Sequence, residues 1–265
     1  MEATKKKLSQ RIGLLDEIRG LSVILMVFYH GFFLLGDVFD LQFGTFFFNF
    51  FMPAQPFVAG VFIAVAGISS RLSRSNAKRG AKLFGVALAL TFATVVVLPL
   101  MGFDGFGISF GILHFLSLSM LFFALAKPVL DYIPPLWGIA LCMVLYLFTA
   151  NIGGGTLGIP PVFKLTVPAT LYETSFLFPF GICNKSFMSV DFFPLFPHIF
   201  IFLAGTWFGV FVRSEKLPAW AYKTRVKAFA WVGKKAFVVY LAHVPILYAV
   251  AFLVRWLLIK TNFIC

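Results

Sequence analysis

The chain has 265 residues, of which 60% are hydrophobic and only 12% are charged. An ordinary soluble domain is about 45–50% apolar and about 25% charged, so this composition excludes a soluble globular enzyme, a disordered tail and a coiled coil. A net charge of +12 would suggest a nucleic-acid partner for a soluble protein, but in a membrane protein the positions of the basic residues matter more than their sum. The sequence therefore predicts an all-α polytopic membrane protein with no nucleic-acid partner.

Seven apolar stretches are each close to the length that a membrane-spanning helix needs, although the fifth is slightly short. The second is expected to start before its first apolar residue, since phenylalanines crowd residues 46–51 and Pro53 and Pro56 suit a helix entrance. The seven stretches cover residues 21–38, 53–70, 83–101, 108–126, 135–150, 196–212 and 236–258.

Basic residues collect on one side of these spans. If the N-terminus is cytoplasmic, all but four of the 22 lysines and arginines lie inside, the exceptions being Lys164, Lys185, Arg255 and Lys260. Cytoplasmic loops of membrane proteins carry this excess of positive charge. The pattern predicts about seven transmembrane helices with the N-terminus inside and the C-terminus outside.

Residues 1–265 are interpreted as a single transmembrane domain that starts with a cytoplasmic segment, residues 1–20. The Gly- and Pro-rich segment 151–195 is predicted to be a long external or re-entrant loop, because a crossing there would move the basic residues of 213–235 outside. No small-residue cleavage site follows the first apolar run, so we expect that span to be retained. Cysteine and histidine spacing indicates no metal site, and a disulfide between Cys183 and Cys265 stays open.

Ionisable residues inside a span are rare and usually functional. Arg19 and His30 are 11 positions apart, which is three helical turns plus about 20°, so they share one face about 16 Å apart along the axis. Asp16 shares that face. An arginine that binds phosphate and a histidine deeper in the membrane suit a ligand with an anionic head and a reactive thioester. The alternative is an i, i+3 pair of Asp16 with Arg19 and a packing role for His30.

Other polar residues lie toward the predicted outer ends of spans. His114 is expected at the depth of His30, and a functional role is favoured for it over a structural one. His198 and His243, taken alone, are expected to be structural. Asp191, just before the sixth span, either orients or deprotonates a histidine or sugar group, or caps the sixth helix.

A basic segment follows the second span. The ordinary explanation is that these basic residues set the topology of the chain and bind anionic lipid headgroups. A sharper one is that one or two of its members hold the phosphates of a nucleotide, with Arg71 as the first candidate. The members are Arg71, Arg74, Lys78, Arg79 and Lys82.

Six segments match a known pattern in order along the chain: residues 15–30, 61–70, 79–80, 110–119, 191–197 and 240–245. Together they resemble the bacterial relatives of heparan-alpha-glucosaminide N-acetyltransferase. The spacing of Arg19 and His30 also resembles the arginine–histidine pair at the start of the acyltransferase-three O-acetylating membrane enzymes.

The resemblance implies a membrane acyltransferase that moves acetyl from cytosolic acetyl-CoA to an amine or hydroxyl of a sugar or glycan on the outer face, without a metal. The animal lysosomal enzyme has its reactive histidine in the first external loop, where residues 39–42 of this chain have none. His30 or His114 would then take that role, and heparan sulfate is not the expected acceptor. The implied catalytic residues are His30, His114, Asp191 and Asp16, and the implied acetyl-CoA-binding residues are Arg19, Arg71 and Arg79.

The alternative function is a proton-coupled transporter or flippase of a small amine or lipid-linked sugar, because such carriers also use intramembrane histidine and aspartate. The sequence shows no internal repeat, which lowers the expectation of an inverted-repeat transporter. A membrane scaffold without turnover is the third interpretation. Membrane lipids are expected partners, a homodimer is compatible with the sequence, and the bacterial inner membrane is the expected location.

Overall fold

The computed structural model describes residues 11–38, 40–103, 105–214 and 217–260. Seven helices of this described part are long and apolar enough to cross a membrane, which confirms the all-α polytopic fold. The direction in which the termini face stays a prediction. The seven are Gly13–Gly36, Gln42–Leu72, Asn76–Leu100, Ile112–Leu130, Pro135–Gly154, Leu195–Arg213 and Ala236–Leu253.

The α-helices within these spans and between them are labelled in chain order. A π turn, Leu34–Val38, continues α1, and another, Ala93–Val97, continues α4 into the helical turn Leu98–Leu100. The helices are α1 (Gly13–Phe33), α2 (Gln42–Phe51), α3 (Gln55–Leu72), α4 (Asn76–Phe92), α5 (Ile112–Leu130), α6 (Pro135–Thr149), α7 (Leu195–Arg213), α8 (Lys227–Lys234) and α9 (Ala236–Lys260).

Three helix starts lie well before the predicted apolar boundaries, and the third span begins at Asn76 rather than at residue 83. The first span begins at Gly13 rather than at residue 21, because the charged residues of its first two turns find partners inside the protein. Residues 13–20 of the predicted N-terminal segment are therefore helical, while residues 1–10 lie outside the described part. The second span starts early, at Gln42, as expected, and Pro53 lies in a 3-10 turn, Met52–Ala54, between α2 and α3.

The segment between the fifth and sixth spans contains no spanning helix among its described residues. It folds instead into an antiparallel hairpin of β1 (Thr156–Ile159) and β2 (Phe163–Thr166), in which Thr156 lies opposite Thr166. A hairpin lets an irregular segment pair much of its own backbone. Its external or re-entrant location stays a prediction, and Cys265, the proposed partner of Cys183, lies outside the described residues.

The chain divides into two compact units. The first unit is Met1–Phe62 with Leu217–Cys265, and the second is Ile63–Lys216. The chain passes from one to the other within α3. The single domain predicted over residues 1–265 stays a prediction.

In the first unit, α1 and α8 pack backbone against backbone. A Cβ added at Gly20 would lie 1.8 Å from the carbonyl oxygen of Phe229, and one added at Gly233 would lie 1.9 Å from that of Asp16. Small residues allow this close approach between membrane helices. The contact holds the polar first turns of α1 against α8.

In the second unit, α3 and α7 approach in the same way. A Cβ added at Gly67 would lie 2.0 Å from the carbonyl oxygen of Phe202, and one added at Gly205 would lie 2.3 Å from that of Ala64. Phe115, Phe123 and Phe202 are fully buried in this unit. Its core is therefore aromatic, and two of its helices touch along their backbones.

We expect Gly20→Ala and Gly233→Ala to destabilise the protein, because the new methyl group would overlap backbone atoms of the facing helix. Overpacking of this kind costs about 1–3 kcal/mol or more. The matched control is Gly85→Ala in α4, where an added Cβ meets nothing within 4 Å and alanine favours the helix by up to about 1 kcal/mol. The measurement is thermal unfolding in detergent, and equal melting temperatures for all three variants would contradict the close contact.

Candidate functional site

The first turns of α1 carry a network around one buried carboxylate. Asp16 is 4% exposed, and its Oδ1 accepts hydrogen bonds from Arg19 Nη1 at 3.1 Å and from Arg11 Nη2 at 3.2 Å. Arg11 Nε also donates to Asp16 Oδ2. The i, i+3 pair given above as an alternative is therefore present. Asp16 holds the guanidinium of Arg19 in place, and both residues belong to the first unit.

Three turns further along α1, His30 meets a second histidine. The ring of His30 lies 5.0 Å from the ring of His243 in α9, at an angle of 60°. Tyr29 and Tyr240 contact these rings at 5.7 Å and 5.6 Å, so two histidines and two tyrosines form one cluster in the first unit. His243 is 7% exposed.

The hydrogen bonds of the pair determine which ring nitrogen carries the proton. His30 Nδ1 lies 2.9 Å from the carbonyl oxygen of Met26, and His243 Nδ1 lies 2.6 Å from that of Tyr240. A carbonyl oxygen only accepts, so each Nδ1 must donate. In the neutral ring of either histidine, Nε2 therefore carries the lone pair that a base or nucleophile needs.

His114 in the second unit has the opposite arrangement. The backbone N–H of Gly111 donates to His114 Nδ1 at 3.2 Å, so this nitrogen is an acceptor. Thr91 Oγ1 donates to the carbonyl oxygen of Ile108 and lies 3.1 Å from His114 Nε2, so Nε2–H donates to Thr91. His114 is 4% exposed. Both ring nitrogens are engaged, and the imidazole is neutral in this arrangement.

Asp191 lies at the same end of α5 as His114. Its Oδ2 accepts a hydrogen bond from the backbone N–H of Ile112, the first residue of α5, at 3.1 Å. The sequence predicted that Asp191, if it is a cap, would cap the helix of the sixth span, α7. The structure instead shows Asp191 capping the helix of the fourth span, α5. A long loop can bring a carboxylate to a helix start that is distant in the sequence. The two side chains thus satisfy the first amides of α5.

Arg71 and Arg79 of the predicted basic segment have different environments. Arg71, 6% exposed, donates through Nε to the carbonyl oxygen of Thr206 at 3.0 Å and forms an ion pair with Asp131. Lys127 also pairs with Asp131. Burial raises the pKa of the Asp131 carboxyl, but the bonds from Lys127 and Arg71 outweigh it and hold this pKa below its ordinary value. Arg79 is exposed on α4.

The structure thus groups six of the seven predicted residues into three sets, and the exposed Arg79 is not part of them. The first unit holds the Asp16–Arg19 pair and His30, and the second holds His114 with Asp191 at one end of α5 and Arg71 at the other. A contact between His30 and His114 stays a prediction, since the two belong to different units.

Sequence reasoning missed two residues of these networks. Glu17 Oε1 accepts hydrogen bonds from the backbone N–H groups of Arg225 and Val226, the latter at 2.9 Å, directly before α8. The sequence feature that could have identified Glu17 is a second acid beside Asp16 at the start of an apolar span, where an unpaired carboxylate is costly. His243 was expected to be structural. Its signal was a histidine inside an apolar span, but nothing in the sequence pairs it with His30.

Among residues 11–38, 40–103, 105–214 and 217–260, no three His, Cys, Asp or Glu side chains are grouped so that they could hold a metal ion. A family model described as heparan-alpha-glucosaminide N-acetyltransferase, catalytic, matches residues 11–245. The match includes all the clusters described above. No curated protein matches the chain, and no solved structure matches it.

We expect Asp191→Ala to lower the stability of the protein by about 0.5–2 kcal/mol, the usual cost of removing a helix cap. Asp191→Asn keeps an acceptor oxygen and should keep most of that stability. Thermal unfolding of the two variants gives the comparison, with exposed Glu173→Ala as a control of the same charge change. If Asp191→Ala melts like the control, the contact with Ile112 contributes nothing.

Proposed function

Because the chain belongs to the family of the heparan-alpha-glucosaminide N-acetyltransferase catalytic domain, we propose that it transfers acetyl from cytosolic acetyl-CoA across the membrane. The acceptor is an amine or hydroxyl of a sugar or glycan on the outer face, and the proposed location is the bacterial inner membrane. Membership of the family and the seven apolar helices support a membrane acetyltransferase. The donor, the acceptor and the sidedness are the proposed part.

The observation that carries the proposal is the histidine pair of the first unit. The reaction needs a nitrogen with an available lone pair, either to accept acetyl or to remove a proton from the acceptor. His30 has that lone pair on Nε2, whereas both nitrogens of His114 are engaged by Gly111 and Thr91. Of the two histidines in the pair, His30 shares α1 with Arg19, so His30 is the proposed reactive histidine. His114 and Asp191 are assigned to positioning α5.

The proposed donor contacts come from the arginines. Arg19 lies on α1 about 16 Å along the axis from His30, and Asp16 holds its guanidinium. A pantetheine arm is long enough to place a thioester at His30 when phosphates bind near Arg19. Contact of acetyl-CoA with Arg71 and with the exposed Arg79 stays a prediction from the sequence, since both residues belong to the second unit.

The chemistry at His30 has two balanced routes. In one, Nε2 attacks the thioester carbonyl carbon, the carbon–sulfur bond breaks, and coenzyme A leaves as the thiolate. The acceptor then attacks the acetyl carbon of the acetyl-imidazole, the carbon–nitrogen bond breaks, and the acceptor's proton passes to the coenzyme A thiolate, which leaves His30 as it started. In the other, Nε2 removes the acceptor's proton while the acceptor attacks the thioester carbonyl carbon directly. The carbon–sulfur bond breaks, and the departing thiolate of coenzyme A takes the proton from Nε2, which restores His30. In both routes His30 Nε2 must start unprotonated.

We expect His30→Gln and His30→Ala to lower the rate of acetyl transfer by about 100-fold or more, the usual contribution of a general base. The measurement is release of free coenzyme A from acetyl-CoA by the purified protein with an amino sugar or glycan acceptor. Binding of acetyl-CoA should persist in both variants, whereas Arg19→Gln should weaken it.

The control is His198→Gln, because His198 also donates from Nδ1 to a backbone carbonyl, that of Pro194, but lies in the second unit. It should keep both binding and transfer. Wild-type transfer by folded His30→Ala would reject His30 as the reactive group. A folded wild-type protein that binds no acetyl-CoA would reject the enzyme and favour the transporter alternative.

A further inference from the structure

The second unit contains a cavity of about 330 Å³ at one end of its helices. Arg71 from the end of α3, the turn between α5 and α6, and Trp207 and Arg213 of α7 line it. Lys127 and Asp131 form its wall on the α5 side, and Pro134 and Pro135 form the start of α6. The cavity therefore has three cations and one carboxylate around it, with aromatic and proline side chains between them.

Arg71 is the buried cation of this cavity. Two of its nitrogens are engaged, Nε by the carbonyl oxygen of Thr206 and Nη1 by Asp131, and its guanidinium lies 5.0 Å from the ring of Phe123. Its Nη2 is buried and has no hydrogen-bond partner among the described residues. A buried guanidinium N–H without a partner is costly, so its presence points to an acceptor supplied from outside the chain.

Trp207 gives a second, independent signal. It is 2% exposed, lines the same cavity, and its indole Nε1 also lacks a partner among the described residues. Its position is enforced by packing, since a Cβ at Gly138 would lie 2.3 Å from the indole ring. Packing against Gly209 fixes the position of Arg71 in the same way, since a Cβ added at Gly209 would lie 2.7 Å from the Cβ of Arg71.

The charges of the cavity favour an anion. Arg71, Lys127 and Arg213 oppose the single carboxylate of Asp131, so the four groups sum to +2. Cations in the last turn of a helix also stabilise that helix end without any ligand. That explanation covers the exposed Lys127 and Arg213, but it does not cover a buried Arg71 with an unused donor.

We infer that this cavity is a phosphate-binding site, in which Arg71 and Trp207 donate hydrogen bonds to a phosphate group and Lys127 and Arg213 supply further positive charge. A guanidinium and an indole N–H are donors only, so they suit an oxygen acceptor without protons. The cavity has room for more than the phosphate itself. A phosphate ester therefore fits it, and its source is either a nucleotide or the headgroup of an anionic phospholipid.

The inference does not depend on acetyl transfer, because it concerns binding to the second unit alone. Phosphate binding without turnover would keep the site and reject the proposed function. Turnover by a protein whose cavity binds no phosphate would keep the function and reject the site.

The test is calorimetric titration of the full chain in phosphatidylcholine nanodiscs with adenosine 3′,5′-bisphosphate. Lys127→Gln combined with Arg213→Gln should weaken binding at least ten-fold, because it removes both exposed cations and leaves Arg71 in place. Trp207→Phe should weaken it several-fold, because it removes only the indole N–H. The matched control is Arg74→Gln combined with Lys78→Gln, which removes two exposed cations that do not line the cavity, and it should change binding by less than two-fold.

A change of opposite sign distinguishes a binding role from a structural one. Asp131→Asn removes the carboxylate that occupies Arg71 and Lys127, so it should tighten nucleotide binding several-fold even though it breaks two ion pairs. Melting temperatures of all variants identify any that fail to fold, and the exposed Lys127 and Arg213 keep the test valid if Trp207→Phe is one of them.

Nanodiscs that contain phosphatidylglycerol separate the two sources. If the lipid is the ligand, these discs should suppress nucleotide binding in the wild type, and the lipid should copurify with the wild type but not with the double variant at Lys127 and Arg213. If the nucleotide is the ligand, its binding should be the same in both kinds of disc. A folded protein that binds neither probe, or binds them equally in the control and cavity variants, would overturn the inference.

Discussion

A polar group buried in an apolar span must find its partner within the protein or in a bound ligand, because no bulk water is available to replace one. This requirement organises the polar residues of both units. Asp16 is held by two guanidiniums, and Glu17 by two backbone amides ahead of α8. In the second unit, Arg71 is held by Thr206 and Asp131. These buried polar residues therefore connect helices, and some of them are also candidate catalytic or binding residues.

The same requirement separates two histidines that look alike in the sequence. His30 and His114 both lie in apolar spans, but His30 faces a carbonyl acceptor and His114 faces an amide donor. The carbonyl of Met26 accepts the hydrogen bond from Nδ1–H of His30, so Nε2 of His30 keeps its lone pair. The amide of Gly111 donates to Nδ1 of His114, so Nε2 of His114 carries the proton, which it donates to Thr91. The proposal of His30 as the reactive histidine therefore rests on hydrogen-bond partners rather than on depth in the membrane.

Close helix contacts make these arrangements rigid. Backbone contact at Gly20 and Gly233 holds the polar start of α1 against α8, and Gly138 and Gly209 hold Trp207 and Arg71 beside one cavity. Between helices in lipid, such packing replaces the hydrophobic driving force that would act in water. The chain thus carries two sets of groups, a histidine pair in one unit and a cationic cavity in the other.

The sequence by itself determined the class of the protein, the seven spans and the family resemblance, because apolar stretches of spanning length and ordered motifs are local features. It also identified His30, Arg19 and Arg71 as residues whose burial needs an explanation. Apart from the Asp16–Arg19 pair, whose i, i+3 spacing is local, only the tertiary structure decided their partners. Glu17 bonds to an amide 208 positions away, Asp191 caps a helix 79 positions before it, and His30 meets His243. Hydropathy indicates where burying a polar residue costs free energy, but it carries no information about which distant group will form a hydrogen bond or ion pair with that residue.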